Sequence, residues 1–250
     1  MTLAILSALP EEQAGIAALL QSPTTTDHAS RRYTRGLLHG VPVVLALSGI
    51  GKVAAASTTT TLIERFGATR IVFTGVAGGV GESVQVGDVV VGQQYAQHDM
   101  DASPILPRYQ LPGYGRALLD GDAALSQALA QSVAHCLASG DAAIWTAELG
   151  LAAPRLHQGL IASGDRFVCS AAEVAALRSG MQAAGMEPLA VEMEGAAVAQ
   201  VCADHGLPFA AMRSISDRAD DNAHVDFPLF VQRIARNYAC AVIPHLCEML

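Results

Sequence analysis

The stretch "RIVFTGVAG", residues 70–78, is an apolar run of strand length that closes on glycine. It decides the fold because its kind recurs along the chain. "LAILSA" (3–8), "VPVVLAL" (41–47), "DVVVGQQYA" (88–96), "GLIASGD" (159–165), "LAVEM" (189–193) and "PFAAMRSISD" (208–217) have the same length and often end in Gly, Ser or Asp. Helix-length amphipathic stretches stand between several of them, at 52–66, 121–138, 171–184, 194–205 and 227–249. This alternation predicts an α/β protein with a central mixed, mostly parallel sheet and helices on both faces. Between 98 and 118, "HDMDASPILPRYQLPGYGRAL" carries the prolines and glycines of a long surface loop. No repeat or linker interrupts the chain, so 1–250 reads as one domain.

At 250 residues, with 51% hydrophobic and 15% charged side chains, the chain can enclose a large core. A formal charge of −8 leaves no basic surface for nucleic acid or an anionic membrane, so a small-molecule ligand is expected. The five cysteines stand singly, without the paired spacing of metal sites or disulfide frameworks, and read as reduced core thiols. "MTLAILSALPEEQ" has neither the basic leader nor the cleavage site of a signal peptide, and its apolar run is too short to span a bilayer. A cytoplasmic location is expected.

Ligands of such sheets gather where strands end. The polar residues predicted there are Glu11 and Glu12, "SGIGK" (48–52), "TGVAGG" (74–79), Asp165, the pair Glu192 and Glu194, and Asp217. In "LAVEMEGAAV" (189–198) an apolar run accepts two carboxylates, which makes sense if they point into a cleft that needs them.

Three motifs mislead. "GIGKVA" (49–54) satisfies a loose dinucleotide fingerprint, but the next strand does not end in a ribose-binding acid, and Val53 stands where a phosphate loop needs Ser or Thr. "HDMD" (98–101) and "DNAHVD" (221–226) juxtapose His and Asp without a third well-spaced ligand, so no metal is expected. His98 is expected to cap or pair within its loop, and His224 to line the entrance.

In this order, "ALPEE", "LSGIGKVAAA", "FTGVAGGV", "VGDVVV", "HDMD", "SGDRFV", "AVEMEGAAVAQVC" and "RSISDRAD" resemble the bacterial 5′-methylthioadenosine/S-adenosylhomocysteine nucleosidases of the nucleoside phosphorylase/hydrolase superfamily. The resemblance runs from the first strand to about residue 227. It implies a three-layer α/β/α domain, a homodimer, and hydrolysis of the N-glycosidic bond of a 5′-substituted adenosine without cofactor or metal.

Breaking that bond builds positive charge on the sugar and negative charge on the departing base, so a site must protonate the base, stabilise the sugar and deliver a nucleophile. By resemblance, Asp217 is the general acid on the purine, although alone it reads as a turn or cap aspartate. Glu12 activates water, although "PEE" alone is an ordinary helix start. Glu194 grips the ribose hydroxyls, Glu192 supports it and Met193 packs under the ribose, where a plain core role is the alternative. Phe167 stacks on adenine, and the Val168 main chain reads its edge. Ser216 lies just ahead of the acid. Arg213 either orients Glu194 or Glu12 or forms a structural ion pair.

Ile50 and Gly78 belong to glycine loops that bring backbone near the ligand. Val76 stands where many relatives carry a hydroxyl, which favours water over phosphate as the nucleophile. Ala102 and Ile105 of the 98–118 loop are expected to wall the 5′-substituent pocket of the neighbouring subunit, completed by Phe227 and Leu9. The alternatives are a phosphorylase using phosphate, a catalytically silent nucleoside-binding protein of the same fold and, as an outsider, a dinucleotide oxidoreductase.

Overall fold

The structure, a computed structural model, describes residues 1–219 and 223–250 and, within them, every side chain except those of 223–226. Its strands are β1 (Leu3–Ser7), β2 (Gln21–His28), β3 (Arg31–Leu38), β4 (Val41–Leu47), β5 (Arg70–Gly79), β6 (Val89–Gln97), β7 (Leu119–Asp120), β8 (Leu156–Ser163), β9 (Pro188–Glu192) and β10 (Phe209–Asp217). The helices are α1 (Pro10–Gln13), α2 (Ile16–Leu19), α3 (Lys52–Glu64), α4 (Ala123–Ala138), α5 (Asp141–Ala147), α6 (Ala171–Ala183), α7 (Gly195–Asp204), α8 (Ala223–Phe230) and α9 (Arg236–Glu248). The helix expected over 227–249 begins earlier, at Ala223, and a π-helical turn at Val231–Ala235 divides it.

One mixed sheet runs β10-β6-β8-β9-β5-β1-β4-β3-β2, and β10 pairs back onto β5. The strands β5, β9, β8, β6 and β10 therefore close into a ring, while β1, β4, β3 and β2 extend from it as an open wing. The ladders β1–β4, β1–β5, β5–β10, β6–β8 and β8–β9 are parallel. Those of β6 with β10 and of β5 with β9 are antiparallel.

Alternation along β1 shows why the central strands are apolar on both faces. Leu3 and Ile5 pack into one core with α4 and α9, whereas Ala4 and Leu6 face the other core, which includes Ala55 and Leu62 of α3 and residues of α7. In α3 four consecutive threonines, poor helix formers, are accommodated by back-bonding. The Thr58, Thr59, Thr60 and Thr61 hydroxyls donate to the carbonyls of Ala54, Ala55, Ala56 and Ser57. The span 98–118 contains neither helix nor strand, as its composition predicts.

Candidate active site

The site grows from the places where strands leave the sheet. After β1 the chain turns directly into α1, with Pro10 at its first position. This brings Glu12 back under its own turn while Glu11 remains exposed. Glu12 Oε2 accepts from the amides of Ala8 and Leu9, both at 2.8 Å, and Oε1 accepts from the Val76 amide at 3.0 Å. The carboxylate is thus fixed against β5, and Gly75 is small because it must be: a Cβ there would lie 2.9 Å from Glu12 Oε1. Glu12 is 3% exposed. Burial pushes its pKa up, against the lowering influence of its amide donors and of Arg213.

"LAVEMEGAAV" folds as the end of a strand followed by a helix, and this separates its two acids. Glu192 closes β9 and turns back over the start of α7, accepting from the Glu194 and Gly195 amides at 2.9–3.1 Å. It also accepts from the Ser163 hydroxyl, which in turn receives the Ala196 amide at 2.7 Å. Arg213 Nη2 completes the set at 2.7 Å. Arg213 therefore pairs with Glu192, not directly with Glu194 or Glu12, because mid-strand on β10 its side chain spans toward β9; its Nη1 is held by the Phe73 and Met212 carbonyls. Of the two readings of Arg213, the ion pair is what the geometry contains.

Glu194 faces the other way. Its Oε1 accepts from the Gly51 amide at 2.8 Å, a donor aimed by the +100° φ of that glycine. Burial, then the nearby charge of Glu192, pushes Glu194 up to about 8.

The third acid comes from β10. Its register against β5 slips between Ile215 and Asp217, so that Asp217 sits opposite Gly78. A bulge of this kind re-aims side chains at a strand end. Asp217 is 2% exposed and accepts from the Ser216 hydroxyl at 2.8 Å and the Ala219 amide at 2.7 Å. A Cβ at Gly78 would come within 3.1 Å of its Oδ1.

These elements surround a cavity of about 480 Å³. Of the residues expected at a ligand, Leu9, Glu12, Ile50, Val76, Gly78, Phe167, Val168, Glu192, Met193, Glu194, Ser216, Asp217 and Phe227 line it. Phe167 stands at its mouth, edge to face with Phe227 at 5.7 Å. Ala102 and Ile105 do not line this chain's cavity. Ala8, Ala77, Arg166 and Val191 line it without having been anticipated. Ser163 was also missed, although a hydroxyl closing "GLIAS" is a signal of the right kind.

One expectation is corrected. Asp165 follows β8 but stays out of the cavity, because its Oδ1 accepts the Lys52 amide at 2.7 Å at the start of α3. The His98 ring is buried in its loop, with Nε2 against Gly164 and without a hydrogen-bond partner. The His224 side chain lies outside the described residues. Among the described residues no group of three or more His, Cys, Asp or Glu could hold a metal ion, and no helix is long and apolar enough to cross a membrane.

A family model described as the phosphorylase superfamily matches residues 2–248. A 5′-methylthioadenosine/S-adenosylhomocysteine nucleosidase of Anoxybacillus flavithermus is 37% identical over 236 residues, covering 94% of this chain and 93% of the relative. The chain belongs to the 5′-methylthioadenosine/S-adenosylhomocysteine nucleosidase family. Members of this nucleosidase family are N-ribosyl hydrolases. The likeness extends to three dimensions. The nucleosidase of Neisseria meningitidis in complex with methylthio-immucillin-A matches with a TM-score of 0.85 and 34% identity, over 100% of this chain and 99% of the other. A futalosine hydrolase of Helicobacter pylori matches with a TM-score of 0.84 and 32% identity, over 100% and 98%.

Proposed function

We propose that this chain hydrolyses the N-glycosidic bond of 5′-methylthioadenosine and S-adenosylhomocysteine, releasing adenine. The observation that carries the reading is the meeting of Glu12, Glu194 and Asp217 on one cavity whose remaining wall is mostly apolar, with Arg166, Glu192 and Ser216 as its other polar residues. Asp217 protonates the purine as it leaves. Its Ser216 and Ala219 donors hold the carboxyl in place for that transfer. Glu194 accepts the ribose hydroxyls and, in its ionised form, opposes the positive charge that grows on the sugar. Glu12, locked by three amides, takes a proton from the attacking water. Phe167 covers the base, a contact worth about 1–3 kcal/mol where base stacking has been measured. Phosphate would meet carboxylates and the Val76 methyls, so water is the nucleophile.

The protein acts as a single-domain homodimer in the cytoplasm, and the 98–118 loop reaches the neighbouring cavity. The 87% exposure of Ile105 and the unpaired state of all five cysteines support these assignments. A second reading, hydrolysis of futalosine, takes support from the likeness to the Helicobacter pylori enzyme. Product analysis with 5′-methylthioadenosine, S-adenosylhomocysteine and futalosine, with and without phosphate, decides between them. Adenine released from the first two without phosphate is the expected result, and turnover only in the presence of phosphate would overturn it. Light scattering at about twice the chain mass is expected for the dimer.

A further inference from the structure

No residue of the "HDMD" segment lines the cavity, yet its second residue ties together the loops that carry two of its walls. Asp99 Oδ1 accepts from Lys52 Nζ at 2.6 Å, and Oδ2 accepts from the Asp165 amide at 2.9 Å. Asp165 Oδ1 in turn accepts from the Lys52 amide at 2.7 Å, so the three residues form a closed ring of contacts. On one side of that ring, one residue before Lys52, Gly51 donates to Glu194, and Ile50 stands on the cavity lip. On the other side, directly after Asp165, come Arg166, Phe167 and Val168 of the base wall. Lys52 Nζ also reaches Gln97 Oε1 at 3.1 Å, and Gln97 donates to Gln200 on α7, the helix that starts from Glu194.

We propose that Asp99 is a positioning residue: by clamping Lys52 to Asp165 it keeps the loop that holds Glu194 in register with the loop that carries Phe167 and Val168. The inference rests on the reading of Glu194 as the sugar-gripping acid. An ion pair still partly open to solvent, with Asp99 32% and Lys52 16% exposed at the side chain, contributes modestly to stability by itself. The clamp serves placement, and small misplacements of reacting groups are costly in rate.

The test is kinetic, on the full chain with 5′-methylthioadenosine. Asp99→Ala and Lys52→Gln should each lower kcat/KM on the order of 10- to 100-fold, mainly in kcat, with little change in Tm. Adenine alone touches one wall, so its affinity should stay within about 3-fold of the unaltered protein. Lys52→Arg should recover most of the activity. In a Glu194→Ala background the further loss from Asp99→Ala should shrink to about 2-fold or less, because both changes act on one unit. Should Asp99→Ala fold poorly, Asp99→Asn and Lys52→Gln carry the same comparison. Unaltered kcat/KM in the clamp variants, or full additivity with Glu194→Ala, would overturn the proposal while leaving the hydrolase reading intact. A chain that hydrolyses no nucleoside, or a Glu194→Ala variant at full activity, removes that reading and the clamp with it.

Discussion

Buried acids occur in two settings in this protein. At the start of β6, Asp88 accepts from the amides of Gln85 and Arg155, and meets His157 at 2.7 Å and the Arg155 guanidinium at 3.4 Å. At the cavity, Arg213 goes to Glu192, and Glu12 and Glu194 are held by backbone amides. An acid with a cationic partner is committed to holding strands together. An acid held by amides keeps its charge available to a ligand, and desolvation leaves it easier to protonate. The identity of the counter-group, more than burial, separates a structural carboxylate from a chemical one.

The sharpest way to break this contrast is Arg213→Met. It strands Glu192 as an uncompensated buried charge and should cost about 3–5 kcal/mol in denaturant unfolding. Next in size, Asp217→Asn should leave stability near that of the unaltered protein but cut adenine release at least ~100-fold, equivalent to about 2.7 kcal/mol of barrier. On the structural side, Asp88→Asn should lower unfolding stability by about 2 kcal/mol with kcat per folded molecule unchanged. A parallel loss of kcat would erase the distinction.

Per unit of pH, the smallest effect is a titration. Glu194 is raised to about 8 by burial and by Glu192, from 4.5. Across that interval the folded chain keeps a proton that the unfolded chain has lost. This contribution to stability is therefore whole below the unfolded value and falls as pH rises toward 8. Its slope is at most about 1.4 kcal/mol per pH unit. Glu194→Gln should flatten it in thermal or denaturant unfolding followed from pH 5 to 8.

Periodicity and breaker residues disclosed β1, β4, β5, β6, β8, β9 and β10, because those strands are buried on both faces and read as apolar runs. It was silent on β2 and β3. "QSPTTTDH" has no apolar face, and its residues are exposed or nearly so, so hydrophobic pattern had nothing to register. Ring closure was equally hidden, since the pairing of β10 with both β5 and β6 is a matter of long-range topology.

At the site, the ordered motifs placed most of the cavity lining. The choice of Glu12 over Glu11 came from resemblance alone and acquires a physical reason only in the turn that buries one and exposes the other. The partner of Arg213 and the role of Ser163 depend on sheet register, which sets Ser163 beside Glu192. No local spacing contains that information.

Because β10 returns to β5, the main path of the sheet, apart from the two-residue β7 beside β6, ends among the described residues at one long border, β2. Its "QSPTTTDH" offers a neighbouring molecule a proline, which lacks an amide hydrogen, and a charged Asp27 instead of a sticky apolar ribbon. The apolar central strands are thereby shielded from edge-to-edge association, and concentrated solutions of the folded chain should resist β-type aggregation.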